Sequence, residues 1–91
     1  MDLYMKTKNK IASKQIKDQS ELDRLISKGI SVNCYIKLKY GLRSSKDISL
    51  TENNDYFVFN SIDDSVEIIP RNKLKNTLLG EALSKGALYR Y

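Results

Sequence analysis

The sequence contains no histidine and no tryptophan, one cysteine, one proline and four glycines in 91 residues. Without histidine it lacks the side chain that most often serves as a general base near neutral pH. It also lacks the commonest nitrogen ligand for metals, and one cysteine cannot build a thiolate cage. Cys34 can form no internal disulfide and no Cys–His nucleophile; a lone cysteine suits a reducing compartment. The glycines, Gly29, Gly41, Gly80 and Gly86, are too scattered to cradle a phosphate. No apolar run approaches the roughly 20 residues that span a bilayer. The opening MDLYMKTKNK has no apolar stretch of secretory length. These absences predict a cytoplasmic, soluble, non-enzymatic protein with no metal, no cofactor and no membrane partner.

What is present is charge and a modest apolar fraction. Charged residues make up 30% of the chain and hydrophobic residues 41%, enough for one small core and one domain. Residues 1–17 carry five lysines (Lys6, Lys8, Lys10, Lys14 and Lys17) against Asp2, a net +4. Residues 18–91 carry eleven basic and ten acidic groups, a net +1, so the excess of +5 lies mostly in an N-terminal arm. Such an arm can reach a polyanion, although a solvated tail has the same composition.

The arm has poor periodicity, and the domain proper is expected over residues 18–91. Residues 18–29, DQSELDRLISKG, read as a helix capped by Asp18 with Glu21, or by Ser20 with Asp23, and stopped at Gly29. Over residues 30–40, Ile30, Val32, Cys34, Ile36, Leu38 and Tyr40 alternate with Ser31, Asn33, Tyr35, Lys37 and Lys39. That is the period of a half-buried strand. A turn at 41–45, a strand at 46–50, an aromatic strand at 56–60 and a strand at 66–69 stopped by Pro70 follow. Thr77 or Asn76 can cap a second helix, TLLGEALSKG, with Leu78, Leu79, Ala82 and Leu83 inward and Gly86 as its stop; residues 87–91 leave as an extended end or an edge strand. The expected fold is α+β: a small antiparallel sheet of four to five short strands with two short helices on one face. The alternative is a small β-barrel flanked by the helices.

Two surfaces are candidates for binding. A nucleic-acid surface would combine Lys6, Lys8, Lys10 and Lys14 of the arm with the outward row Tyr35, Lys37 and Lys39, with Arg43 and Lys46 around the next turn, and with the basic connection Arg71, Lys73 and Lys75. A ring beside lysines on an open sheet face can stack a base while the cations track phosphates. Lysines are also the ordinary solubilising choice on strand edges. A second surface arises because Tyr56 and Val58 point one way and Phe57 and Phe59 the other, so both sheet faces carry large apolar groups. Phe57, Phe59, Ile69, Tyr89 and Tyr91 are the expected partner-binding patch, for a larger protein or a second copy. Asn53, Asn54, Asp55, Asp63, Asp64 and Glu67 could cluster at sheet ends and hold a hard cation in a metal-dependent nuclease, but Asp63-Asp64-Ser65 reads better as a hairpin turn.

Several segments carry a resemblance: the capped helix ending in Lys28-Gly29, residues 42–46 (LRSSK), residues 59–64 (FNSIDD), and Gly80-Glu81-Ala82-Leu83 followed by Lys85-Gly86 and Tyr89. In these the chain resembles small accessory proteins carried by phages and chromosomal cassettes of low-GC Gram-positive bacteria. The resemblance implies a binding role, as a subunit of a replication enzyme or an inhibitor of a host enzyme. It assigns no residues. The expectation is an accessory protein acting with a DNA replication or recombination enzyme, DNA being a possible contact. The rivals are an inhibitor of a host nucleic-acid enzyme and the small nuclease.

Overall fold

The computed structural model describes residues 14–91. Lys6, Lys8 and Lys10 lie outside them. The described residues form an α+β fold with six strands and two α-helices: β1 (Lys14–Gln15), α1 (Gln19–Leu25), β2 (Val32–Lys37), β3 (Arg43–Leu50), β4 (Tyr56–Asn60), β5 (Ser65–Ile69), α2 (Leu78–Lys85) and β6 (Leu88–Arg90). A 3-10 turn at Lys39–Gly41 joins β2 to β3, and a longer 3-10 segment, Arg71–Asn76, joins β5 to α2. The strands make one antiparallel sheet in the order β1-β6-β2-β3-β4-β5. It is open, with β1 and β5 at its edges, so the barrel alternative is not realised. The strand beyond the expected four to five is β1, which starts the sheet inside the lysine-rich segment. Ile16 follows it directly into the core. β6 is not an edge strand, because it lies between β1 and β2.

Both helices pack on one face. Leu22 and Ile26 at α1, and Leu74, Leu79, Ala82 and Leu83 at α2, close over Val32, Cys34, Ile48, Tyr56, Val58, Ile69 and Leu88. Local chemistry sets the helix ends. The Asp18 carboxylate accepts from the Glu21 N–H at 2.9 Å, and the Glu21 carboxylate accepts from the Lys17 N–H at 2.8 Å, a reciprocal cap. The Thr77 hydroxyl caps α2 by accepting from the Gly80 N–H, and Gly86 ends it at φ 71°. Gly29 does not end α1. That helix stops at Leu25, and Gly29 sits in a tight turn between Ser27 and Ile30.

The alternation over residues 30–40 holds for β2 and fails at both ends. Ile30 lies in the turn before the strand. At the other end the Leu38 N–H donates to the Leu42 carbonyl and the chain turns through Tyr40 at φ 63°. Ile30, Leu38 and Tyr40 are therefore exposed rather than inward, Tyr40 by 96%. Leu78, placed inward from the pattern, is also exposed, because it is the first residue of its helix.

One polar knot ties α1 to the sheet. The Tyr56 hydroxyl donates to Asp23 Oδ1 at 2.7 Å and accepts from Gln19 Nε2 at 2.7 Å and from Arg71 at 2.9 Å. Arg71 also donates to Asp23 Oδ2 at 2.7 Å, and its guanidinium lies 4.8 Å from the Tyr56 ring centre. Burial first, and the hydrogen bond to Asp23 second, push the Tyr56 hydroxyl from an ordinary 10 to about 12. Burial likewise pushes the Cys34 thiol from 9 to about 12. Both groups hold their protons more tightly in the fold than in the open chain. Their contributions are therefore complete below pH 9–10 and are lost as pH rises towards 12. Urea unfolding followed against pH should show stability falling across that window. Tyr56→Phe should start about 1–3 kcal/mol lower, because three partners lose a common hydroxyl, and should fall less steeply above pH 10.

Gly80 marks the closest approach in the core. A Cβ on it would meet the Leu74 carbonyl oxygen at 2.0 Å, so α2 lies directly on the backbone of the 3-10 segment. Gly80→Ala should lower stability by about 1–3 kcal/mol, since backbone must move to admit the methyl group. An unchanged denaturation midpoint would show that the two segments are not in contact.

Candidate functional site

Among the described residues both helices pack on the other face, and two different surfaces meet on the second face of the sheet. Its residues follow from the register. Tyr35 lies opposite Tyr89 on β6 and Ser45 on β3; Lys37 lies opposite Arg43. Asp47 lies opposite Phe59, and Ser49 opposite Phe57. On β5, Val66 lies opposite Phe59 and Ile68 opposite Phe57. Strands β6, β2 and the start of β3 thus present tyrosine, lysine and arginine, whereas β4 and β5 present aromatic and aliphatic groups.

The tyrosine end is a packed cluster. The Tyr35 and Tyr89 rings stack at 5.6 Å with 14° between planes, and Tyr91 tilts over Tyr35 at 4.8 Å. The Arg43 guanidinium sits 4.3 Å from the Tyr35 ring centre and 5.9 Å from that of Tyr91. Such contacts hold a cation over a ring face without neutralising it. Tyr91 is fixed by a 2.8 Å hydrogen bond between its hydroxyl and that of Ser45, and its N–H donates to the Asn33 carbonyl at 3.0 Å. A depression of about 340 Å³ opens beside the cluster, lined by Tyr35, Lys37, Gly41, Arg43 and Tyr89.

The expected nucleic-acid set is partly assembled. Tyr35, Lys37 and Arg43 come together, and Tyr89 and Tyr91 join them instead of the phenylalanines. Tyr35 is on the expected face but is only 5% exposed, because Tyr89, Tyr91 and Arg43 cover it. The accessible ring is that of Tyr91, 47% exposed. Lys39 lies past the strand, in the 3-10 turn. Lys46 is on the helix-bearing face, level with Cys34, and bonds to the Asn60 side chain. Arg43 and Lys46 are three residues apart on one strand, and that spacing places them on opposite faces. Lys14 is in β1, opposite Arg90.

The expected partner patch also changes membership. Phe57 and Phe59 are half-buried on the open face, but Ile69 is not beside them. It lies opposite Tyr56 and is buried in the core. Its place is taken by Ile68 and Val66, 56% and 51% exposed. Tyr89 and Tyr91 belong to the other end of the sheet. Asp63 accepts from the Ser65 N–H at 3.0 Å, and this bonding with Ser65 lowers its carboxyl below the usual range. It is thus a turn former between β4 and β5. Among the described residues no three carboxylate or thiol groups converge to hold an ion, and no helix is long and apolar enough to cross a membrane. Comparison with family profiles, curated proteins and solved structures returned no match.

The packing gives a direct test of the cluster. Tyr35→Ala should loosen Tyr91 and Arg43 together, because both rest on its ring. Tyrosine fluorescence and the amide exchange of residues 88–91 should both report the change. Exchange unaltered from wild type would show that β6 is held by main-chain bonds alone.

Proposed function

We propose that the protein is a small non-enzymatic accessory binding protein that works with a larger DNA replication or recombination enzyme. It contacts single-stranded nucleic acid across the tyrosine end of its open sheet face. The observation that carries this reading is Tyr91 and Tyr89, backed by Tyr35, next to Arg43 and Lys37 on a face that no described helix covers. Tyr91 offers a ring for a base, and stacking tolerates any base because each has a π-face. Lys37 and Arg43 lie directly opposite each other on neighbouring strands, placed to follow a sugar–phosphate chain. A single strand fits this better than a duplex, whose bases are already stacked on one another. The lysines of residues 1–13 add counter-charge to the same strand. The rival reading is an inhibitor of a nucleic-acid enzyme, with no affinity for the nucleic acid itself.

Fluorescence anisotropy with a labelled oligothymidylate separates the contributions. Single strands release roughly 0.7 counterion per neutralised phosphate, so four to six contacts give a log–log salt slope of about −3 to −4. Lys37→Gln should flatten that slope by about 0.7. Tyr91→Ala should weaken binding by about 1–3 kcal/mol and leave the slope as it was. No binding at about 50 mM salt, where phosphate contacts are strong, would leave the inhibitor reading in possession.

A further inference from the structure

The other end of the open face has a separate use. β5 is an edge strand of five residues, and among the described residues its outer side pairs with nothing. Its pairing with β4 runs without a bulge from Ser65 opposite Asn60 to Ile69 opposite Tyr56. It contains no proline and no lysine, the devices that usually guard an edge; Pro70 comes only after its last residue. Its main-chain groups are thus a template for one more strand, and the side chains beside that template are apolar. Val66 and Ile68 are exposed on the open face, with Phe57 and Phe59 directly behind them. Glu67 points to the opposite face and is also exposed.

Charge selects the occupant. From Asp47 to Pro70 the sequence has six acids and neither lysine nor arginine. Asp63 and Asp64 lie at one end of the apolar strip, Glu52 and Asp55 at the other, and Asp47 opposite Phe59. We propose that the free edge of β5 takes an added strand from a protein partner in which apolar residues alternate with lysine or arginine. Such a strand places its apolar residues beside Val66 and Ile68 on one face and a cation beside Glu67 on the other, because strand side chains alternate. A second copy of this chain fits less well. Antiparallel pairing of β5 with itself, centred on Glu67, sets two carboxylates side by side and brings two acidic segments together. The proposal is independent of nucleic-acid binding, which uses the opposite end of the face.

The test uses two octapeptides, one alternating valine with lysine and one alternating valine with glutamate, titrated against the full-length chain. The lysine peptide should bind and the glutamate peptide should not. Glu67→Lys should weaken the lysine peptide about tenfold and strengthen the glutamate peptide. Tyr91→Ala should alter neither. Amide exchange at Val66 and Ile68, whose N–H groups point away from β4, should be fast in the free protein and slow when the lysine peptide is bound. N-methylation of alternate peptide residues on the bonding side should abolish binding. Equal binding of both peptides would overturn the proposal. So would a dimer that dissociates on Val66→Lys while neither peptide binds, which assigns the edge to a second copy. Slow exchange at both Val66 and Ile68 in the free monomer would overturn it too, by assigning the edge to the chain's own N-terminal segment.

Discussion

The two described helices, of seven and eight residues, cover only one face of the six described strands. The rest of the architecture answers to that constraint. The covered face holds the core cluster, and each of its short helices needs extra fastening because neither is long enough to be stable by itself. α1 is fastened by the knot of Tyr56, Asp23, Gln19 and Arg71, and α2 by the contact of Gly80 with the backbone at Leu74. Among the described residues the opposite face receives no helix, so its apolar and aromatic groups pack on one another or stay exposed. Tyr35, Tyr89 and Tyr91 take the first course, and Val66 and Ile68 remain exposed.

The chain order produces the polarity of that open face. β4, β5 and both hairpins around them come from one uninterrupted segment, 47–70, which is acidic and apolar. β1, β2 and β6 come from segments on either side, which hold the lysines and arginines. Antiparallel pairing of neighbours keeps the acidic segment together at one edge. β6 crosses back to lie between β1 and β2, and so delivers Tyr89 and Tyr91 to the basic end. A different position for β6, on the far side of β5, would have placed its tyrosines beside Val66 and Ile68, one strand away from Phe57 and Phe59.

Features with local chemistry were legible in the sequence. Asp18 and Glu21 cap the first helix, Thr77 and Gly86 bound the second, and the Asp63-Asp64-Ser65 turn forms through the bond its residue types imply. Cys34 is buried because the middle of its strand alternates cleanly. What was not legible depended on register or on distant residues. Ile68 and Ile69 are adjacent and equally apolar, so pattern cannot say which one faces the core, and a shift of one residue exchanges them. The hairpin at 61–64 sets that register, placing Ser65 opposite Asn60. Tyr35 was given its correct face but the wrong exposure, because its cover arrives from β6, more than fifty residues later. β1 is two residues long and too short for any periodicity to register.

The two faces also differ in what substitution does to them. Side chains on the covered face are close-packed, and a single methyl group at Gly80 collides with backbone. On the open face Tyr91, Lys37, Val66 and Ile68 can change with little loss of core contact, since none of them belongs to the buried cluster. The main-chain ladder that carries them is nevertheless fixed by the core beneath, through Cys34, Ile48 and Val58 on the same strands. A rigid sheet with freely variable side chains on one surface suits a protein whose work is recognition, because preorganised main chain lowers the ordering cost of binding while side chains set the specificity. The acidic edge on β5 and the tyrosine cluster on β6 and β2 lie on one frame with β3 and β4 between them, so the proposed protein strand and the proposed nucleic acid would lie over different strands of the sheet.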